Sequence, residues 1–206
     1  MKNFFDLVAP IYERIHFGAA ASYRKIYALG NFEQTDRVLD LGGGSGRIAK
    51  FFVGQVREIT VADSSPGMLA VCRKHGGINC VLAFAENLPF ADEYFDKIII
   101  VDAFHHFQDH EKVAIEVERL LRKSGKLIIE EFNPAKPVGW LASVFESLLN
   151  MKSVFYTPAS LSAFWSRYGF DTKLSIAQKA IYYVVLEKKP ISDISERRPL
   201  NERTRD

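Results

Sequence analysis

Gly42, Gly44 and Gly46 stand at alternate positions directly after the run Val38-Leu39-Asp40-Leu41, and two carboxylates flank them. Asp40 lies two residues before the first glycine and Asp63 lies 21 residues after it. A glycine turn of this kind lets the backbone approach a ligand closely and aims helix N-terminal amides at it. Asp63 ends the run Glu-Ile-Thr-Val-Ala-Asp, where a carboxylate can accept both hydroxyls of a ribose. The spacing argues against two commoner nucleotide sites. A dinucleotide fingerprint needs its third glycine where Arg47 stands, and a P-loop needs Lys followed by Ser or Thr where Arg47-Ile48 stand. Asp40 would repel a pyrophosphate but can hold an ammonium group. A ligand with adenine, ribose and a cationic amino-acid end satisfies every feature, and that ligand is S-adenosylmethionine. Taken alone, the glycine turn also suits an α/β protein that binds nothing.

The elements that would position these groups follow from periodicity. Residues 3–16 and 20–30 read as short helices, the first interrupted at Pro10. RVLDL, EITVAD, INCVLAF, FDKIIIVD and KLIIEEF read as strands. Between them, IAKFFV, a helix opened by Pro66, and residues 110–122 carry helical spacing, the last stopped by Lys-Ser-Gly at 123–125. Two further helices are expected at 137–150 and 158–168, and FDTKLSIAQKAIYYVVLEKK reads as two strands joined by a tight turn. Strands alternating with helices predict an α/β doubly wound, Rossmann-like, mostly parallel seven-stranded sheet with an antiparallel C-terminal strand and helices on both faces. Ligands of such sheets sit beyond the carboxyl ends of the strands at the switch in strand order. Asp102, His105 and His106, which follow the fourth strand, are therefore expected to border the reacting group.

Composition sets the class. In 206 residues, 48% are apolar and 25% charged, as in a soluble globular chain, and no apolar run reaches bilayer length. The opening Met-Lys-Asn-Phe-Phe-Asp does not suit a signal peptide, which favours the cytoplasm. The net charge of +2 resides in the tail: residues 188–206 carry six basic and four acidic groups, leaving 21 of each sign in 1–187. We expect one domain over 1–187, with helical cover segments at 1–32 and 134–168, and a mobile charged tail at 188–206. Balanced charge offers no basic stripe for phosphates, so no nucleic-acid partner is expected. Cys72 and Cys80 are too few for a disulfide framework or a four-cysteine zinc site, read best as core residues, and no metal site is expected. His110 reads as a surface-helix residue.

VLDLGGGSG, VADSSPGML, AFAENLPFADEYFDKI, VDAFHHF and LLRKSGKLIIEEFNP together resemble the class I S-adenosylmethionine-dependent methyltransferases. The small-molecule "type 11" group, which includes the ubiquinone/menaquinone-biosynthesis C-methyltransferases, is the nearest subgroup, and FFDLVAPIYERI is similar to that group's opening segment. The resemblance implies that Gly42, Gly44, Ser45 and Gly46 line the methionine end of the cofactor, with Asp40 facing its amino group. It implies that Asp63 takes the ribose hydroxyls, with Ser64 and Met68 beside the adenine. Where the family often reads Gly-Asp-Ala, this chain has Ala83, Phe84 and Ala85. Phe84 cannot bond the adenine amino group, so adenine recognition is expected from stacking, from backbone amides near Ala85 and Glu86, and from Leu88.

Methyl transfer from a sulfonium is an in-line displacement in which alignment supplies much of the acceleration. A base is needed only for an acceptor that arrives protonated, and His105 or His106 suits that task or the orientation of substrate. The alternative reading packs His106 under the loop and leaves His105 as polar surface. Glu130 and Glu131 are adjacent on a strand, so at most one is expected to point into a site. Residues 1–32 and 132–170 hold 16 of the 26 aromatics. Tyr12, Tyr23, Trp140, Phe155, Tyr156 and Trp165 either pack helices onto the sheet or build an aromatic acceptor pocket, where a ring face such as that of Tyr12 suits the sulfonium. The expected function is methyl transfer to a small, apolar or aromatic acceptor. A quinone C-methyltransferase, a nucleic-acid methyltransferase and a non-catalytic binding module are the alternatives. Oligomeric state is left open.

Overall fold

The computed structural model describes residues 18–136, 153–177 and 180–189. The elements run α1 (Ala19–Gly30), β1 (Arg37–Leu41), β2 (Glu58–Asp63), α2 (Pro66–Cys72), β3 (Asn79–Leu82), β4 (Phe95–Val101), α3 (His110–Leu120), β5 (Leu121–Phe132), α4 (Pro158–Ser166), β6 (Phe170–Ala177) and β7 (Ile181–Lys188). The strands form one seven-stranded sheet of order β3-β2-β1-β4-β5-β7-β6. β1 to β5 pair in parallel, and β7 inserts antiparallel between β5 and β6. The chain steps outward from β1 through β2 to β3, then returns to β4 on the other side of β1. That reversal opens the crevice at the carboxyl ends of β1 and β4.

Alternation along the strands sorts the core onto two faces. Leu39, Ile98, Ile100, Leu127 and Ile129 pack with α3 and α4, while Val38, Ile99, Val101 and Ile128 pack with α1 and α2. Side-chain period two explains the split, and helices on both faces explain why the strands are apolar throughout. On α3, Val113, Ala114, Val117 and Leu120 recur at helical spacing and are buried. Burying Val113, Val117 and Leu120 contributes roughly 1.5–3 kcal/mol each. The helix starts where the Asp109 side chain accepts the Lys112 N–H. A Thr157–Ser160 capping box with Pro158 in the first turn starts α4.

Several expectations shift. IAKFFV makes only a 3-10 turn at Ala49–Phe51, because Gly54 at φ +77° ends it and Phe52 turns inward to full burial against Phe32 and Tyr23. The Lys-Ser-Gly turn lies inside β5, where Ser124 at φ 59° accompanies a register break opposite Phe95–Lys97. Cys72 and Cys80 form a disulfide with each other, linking α2 to β3 across eight residues. Strand β3 returns beside the C-terminal end of α2, a juxtaposition that cysteine count does not reveal. His110 is not a surface residue. Its ring stacks on Phe104 at 4.5 Å and bonds the Phe104 carbonyl and the Tyr156 hydroxyl, because the start of α3 docks on the loop after β4. The helices read at 3–16 and 137–150, Tyr12, Trp140 and the tail after Lys189 lie outside the described residues.

Candidate functional site

A cleft opens at the switch point, floored by the turn after β1 and walled by the ends of β2 and β4. Gly42 and Gly44 line it at φ +73° and +55°, conformations that cost glycine little and other residues much. Gly43 is closed to any side chain, since a Cβ there would sit 2.5 Å from the Asp40 carboxyl carbon. Gly46, at φ +75°, and Ser45 stand behind the cleft. A Cβ on Gly46 would meet Cys72 Sγ at 3.1 Å, so this glycine serves the packing of loop on helix.

Asp40 forms the floor. It is 1% exposed, and neither carboxylate oxygen has a well-formed hydrogen bond. Burial pushes its pKa up to about 7, helped by the negative charge of Asp63, while Arg47 and the Ala49 amide pull it back. A buried anion left short of partners in this way matches a cationic ligand group. Asp63 is pinned instead: its Oδ2 accepts the Gly44 N–H at 2.9 Å and its Oδ1 accepts the Ser65 N–H at 2.8 Å. A carboxylate at this strand end is the kind of group that accepts ribose hydroxyls. The two carboxylates, as acceptors, therefore fit S-adenosylmethionine at its ammonium and its ribose.

Beside these, Ser64 and Met68 line the cleft with Ala85 and Glu86, and Phe84 presents a ring that is 62% exposed. Glu86 Oε1 accepts the N–H groups of Gln108 and Asp109, fastening this wall to the loop after β4. Leu88 is buried in the core, and its N–H bonds Glu116, which Arg119 also holds. It shapes the wall from behind.

The histidine pair divides in the opposite sense to the alternative reading. His106 is half-buried and lines the cleft, its Nδ1 3.2 Å from Ser153 Oγ. His105 is 2% exposed, sandwiched by Phe155 at 4.5 Å, with Nδ1 2.6 Å from Glu131 Oε2. The other Glu131 oxygen accepts the Phe104 N–H at 2.8 Å. Asp102, in the left-handed region at φ 55°, sends the chain round this corner. Asp102, His105 and Glu131 come within 4.8 Å of one another, a grouping of metal-ligand residue types that linear spacing hides.

Sequence reasoning missed Arg47, Phe107 and Gln108, which also line the cleft. Arg47 was visible only as a broken glycine pattern. It missed as well a second cleft, lined by Ser22, Arg24 and Lys25 of α1, by Glu130 and Glu131 of β5, and by Tyr183 of β7. The glutamates are engaged on opposite faces of the sheet, Glu130 by Ser22 and Glu131 by His105, as strand alternation requires, yet both border this second cleft. Of the cover aromatics among the described residues, Trp165 is fully buried, and Tyr23, partly buried, packs on Phe51 and Phe52.

Comparison with known proteins agrees with this geometry. Residues 39–129 match the model of a methyltransferase domain. The chain is 31% identical over 153 residues to the demethylmenaquinone methyltransferase of Thermotoga maritima, covering 70% of this chain and 67% of that one. It is 38% identical over 107 residues to the ubiquinone/menaquinone biosynthesis C-methyltransferase of Psychromonas ingrahamii, covering 47% of this chain and 43% of the relative. The chain thus spans less than half the length of that second relative. Among solved structures, the methyltransferase in complex with the Trm112 activator of Haloferax volcanii superposes with a TM-score of 0.80 at 16% identity, covering 92% of this chain and all of that one.

Proposed function

Since the chain belongs to the S-adenosylmethionine-dependent methyltransferases, we propose that it transfers a methyl group to a small acceptor whose reacting part is aromatic or apolar. The observation that carries this reading is Asp40, a buried carboxylate without a well-formed hydrogen bond on the floor of a glycine-lined cleft. When bound, S-adenosylmethionine supplies an electrophilic methyl group on a sulfonium. Asp40 holds its ammonium, Gly42 and Gly44 admit its amino-acid end, and Asp63 takes the ribose hydroxyls. Phe84 offers a face for the adenine ring, with Met68 and Ser64 alongside. His106, the member of the pair that reaches the cleft, orients the acceptor or takes its proton. His105 and Glu131 act through it, holding the loop after β4 in place. Among the described residues no helix is long and apolar enough to cross a membrane, and the same proposal sets the protein in the cytoplasm, where a reducing environment would open the Cys72–Cys80 bridge.

Calorimetric titration of S-adenosylhomocysteine into wild type and Asp63→Ala tests the cofactor site. Micromolar-order binding lost in the variant is expected; no binding to folded wild type would refute the reading. The names of the relatives favour one narrower acceptor, a quinol ring methylated at carbon. Methylation of a short-chain demethylmenaquinol by wild type, lost in His106→Ala while S-adenosylhomocysteine binding persists, is the result expected of it. Turnover unchanged in His106→Ala would remove that histidine's role.

A further inference from the structure

Three segments that wall the cofactor cleft meet at one pair of sulfur atoms. Cys72 closes α2 one turn beyond Met68, which lines the cleft. Cys80 lies in β3, which leads into the wall of Ala83, Phe84 and Ala85, and a disulfide joins it to Cys72. The glycine turn is the third segment. Gly46 packs so closely on Cys72 that a Cβ there would sit 3.1 Å from its Sγ. The Gly46 N–H donates to the Gly43 carbonyl at 2.9 Å, and Gly43 packs in turn on the Asp40 carboxyl group. The Ala83 N–H donates to the Asp63 carbonyl at 3.1 Å, tying the end of β3 to the backbone of the second carboxylate.

The two sulfurs differ in access. Cys72 is fully buried, whereas Cys80 is partly buried on β3, an outermost strand of the sheet. Bonded sulfurs stand about 2 Å apart, and unbonded ones must part to van der Waals contact. Because Cys72 is enclosed and touches the glycine turn, that separation is taken up by the turn, α2 and β3, all of which wall the cleft.

We propose that Cys72 and Cys80 form a thiol–disulfide exchange site that sets the affinity of the cofactor cleft, tight when bridged and weaker when open. The proposal rests on the methyltransferase reading above for its ligand and adds redox control of that site. Opening begins when the thiolate of a small thiol of the glutathione type attacks the accessible Cys80 Sγ. The bond between the two cysteines breaks, and its electron pair leaves on Cys72 Sγ, which takes up a proton. A second small thiolate attacks the glutathione sulfur of the mixed disulfide, and Cys80 departs as thiolate. Two small thiols are thereby oxidised to one small disulfide as the protein disulfide is reduced to two thiols. Closing runs the same steps backward with that small disulfide as oxidant. The open pair leaves the three walls freedom that a ligand must remove on binding, whereas the bridge removes it beforehand.

The test equilibrates the full chain in glutathione buffers from oxidising to reducing, counts free thiols by alkylation and mass spectrometry, and titrates S-adenosylhomocysteine by calorimetry. Bridged protein is expected to bind about tenfold more tightly than open protein. Reciprocally, saturating S-adenosylhomocysteine is expected to shift the glutathione equilibrium about tenfold toward the bridged form. Cys80→Ser is expected to bind like open wild type in every buffer. Cys72→Ala, which keeps the accessible sulfur, is expected to take up one glutathione in oxidising buffer, and Cys80→Ser none. Without ligand, opening the bridge is expected to speed amide exchange in residues 42–46 and 66–72 while α3 stays unchanged, which a general loosening of the fold would not produce. Equal affinity of bridged and open wild type, thiols that stay unpaired in oxidising buffer, or glutathione uptake at Cys72 in Cys80→Ser would overturn the proposal. No binding to folded protein in either redox state would instead sink the cofactor reading, and the affinity switch with it, while the thiol count still reports whether the pair exchanges.

Discussion

Titrating S-adenosylhomocysteine into the protein between about pH 5 and about pH 8 is expected to expose Asp40 as the group that meets the ligand ammonium. In the free fold Asp40 has a pKa of about 7 against an ordinary 3.8. Below neutrality it therefore holds a proton that a bound ammonium must expel. With a bound-state value back near 4, affinity is expected to fall about twofold from pH 8 to pH 7 and about tenfold by pH 6. Near pH 5 the loss reaches roughly a hundredfold. The same shift carries a stability signature of fixed sign. The raised folded-state value means that Asp40's contribution is fully present below about pH 4 and is lost as pH rises through about 7, a difference of about 4 kcal/mol. Asp40→Asn, close in shape and uncharged, is thus expected to be more stable than wild type near pH 8 and about equal near pH 4. Its ligand affinity should be weak and nearly flat with pH. Calorimetry for affinity and thermal melts for stability check both halves. A flat wild-type affinity profile, or the same slope in Asp40→Asn, would refute the reasoning, since the titration would then belong to another group.

Further outcomes follow from named contacts. Gly43→Ala places a methyl 2.5 Å from the Asp40 carboxyl carbon, and overpacking of this kind costs about 1–3 kcal/mol. Weaker S-adenosylhomocysteine binding at unchanged overall fold, read by calorimetry and circular dichroism, is the expected result. Glu131→Ala strips partners from His105 Nδ1 and from the Phe104 N–H in a buried setting, and is expected to destabilise by about 3 kcal/mol in urea unfolding. Arg119→Met removes donors from the Leu88 and Phe90 carbonyls and from Asp92 and Glu116. Because that arginine is partly exposed, about 1 kcal/mol is expected, with faster amide exchange in residues 84–90 as the more telling readout.

The amino-acid sequence by itself determined the strands, their mostly parallel arrangement and the place of the glycine-lined cleft. Apolar runs such as Ile98-Ile99-Ile100 suit only a strand covered on both faces, and short links between strand and helix leave few topologies open. That Gly42, Gly44, Asp40 and Asp63 line one cleft was legible because their constraint is local: glycines in a turn after a strand, and carboxylates in or at the end of strands. Tertiary structure alone decided which histidine faces the cleft. His105 and His106 are neighbours in sequence, and only Glu131, 26 residues away, draws one inward and turns the other out. It decided that Cys72 and Cys80 meet, and that His110 is packed rather than surface, because both depend on where a neighbouring element lands. It decided that Glu130 meets Ser22, 108 residues earlier, and so created a second cleft that no linear motif encodes. Local chemistry is written in residue type and spacing, whereas contacts between distant segments exist only once the sheet has brought them together.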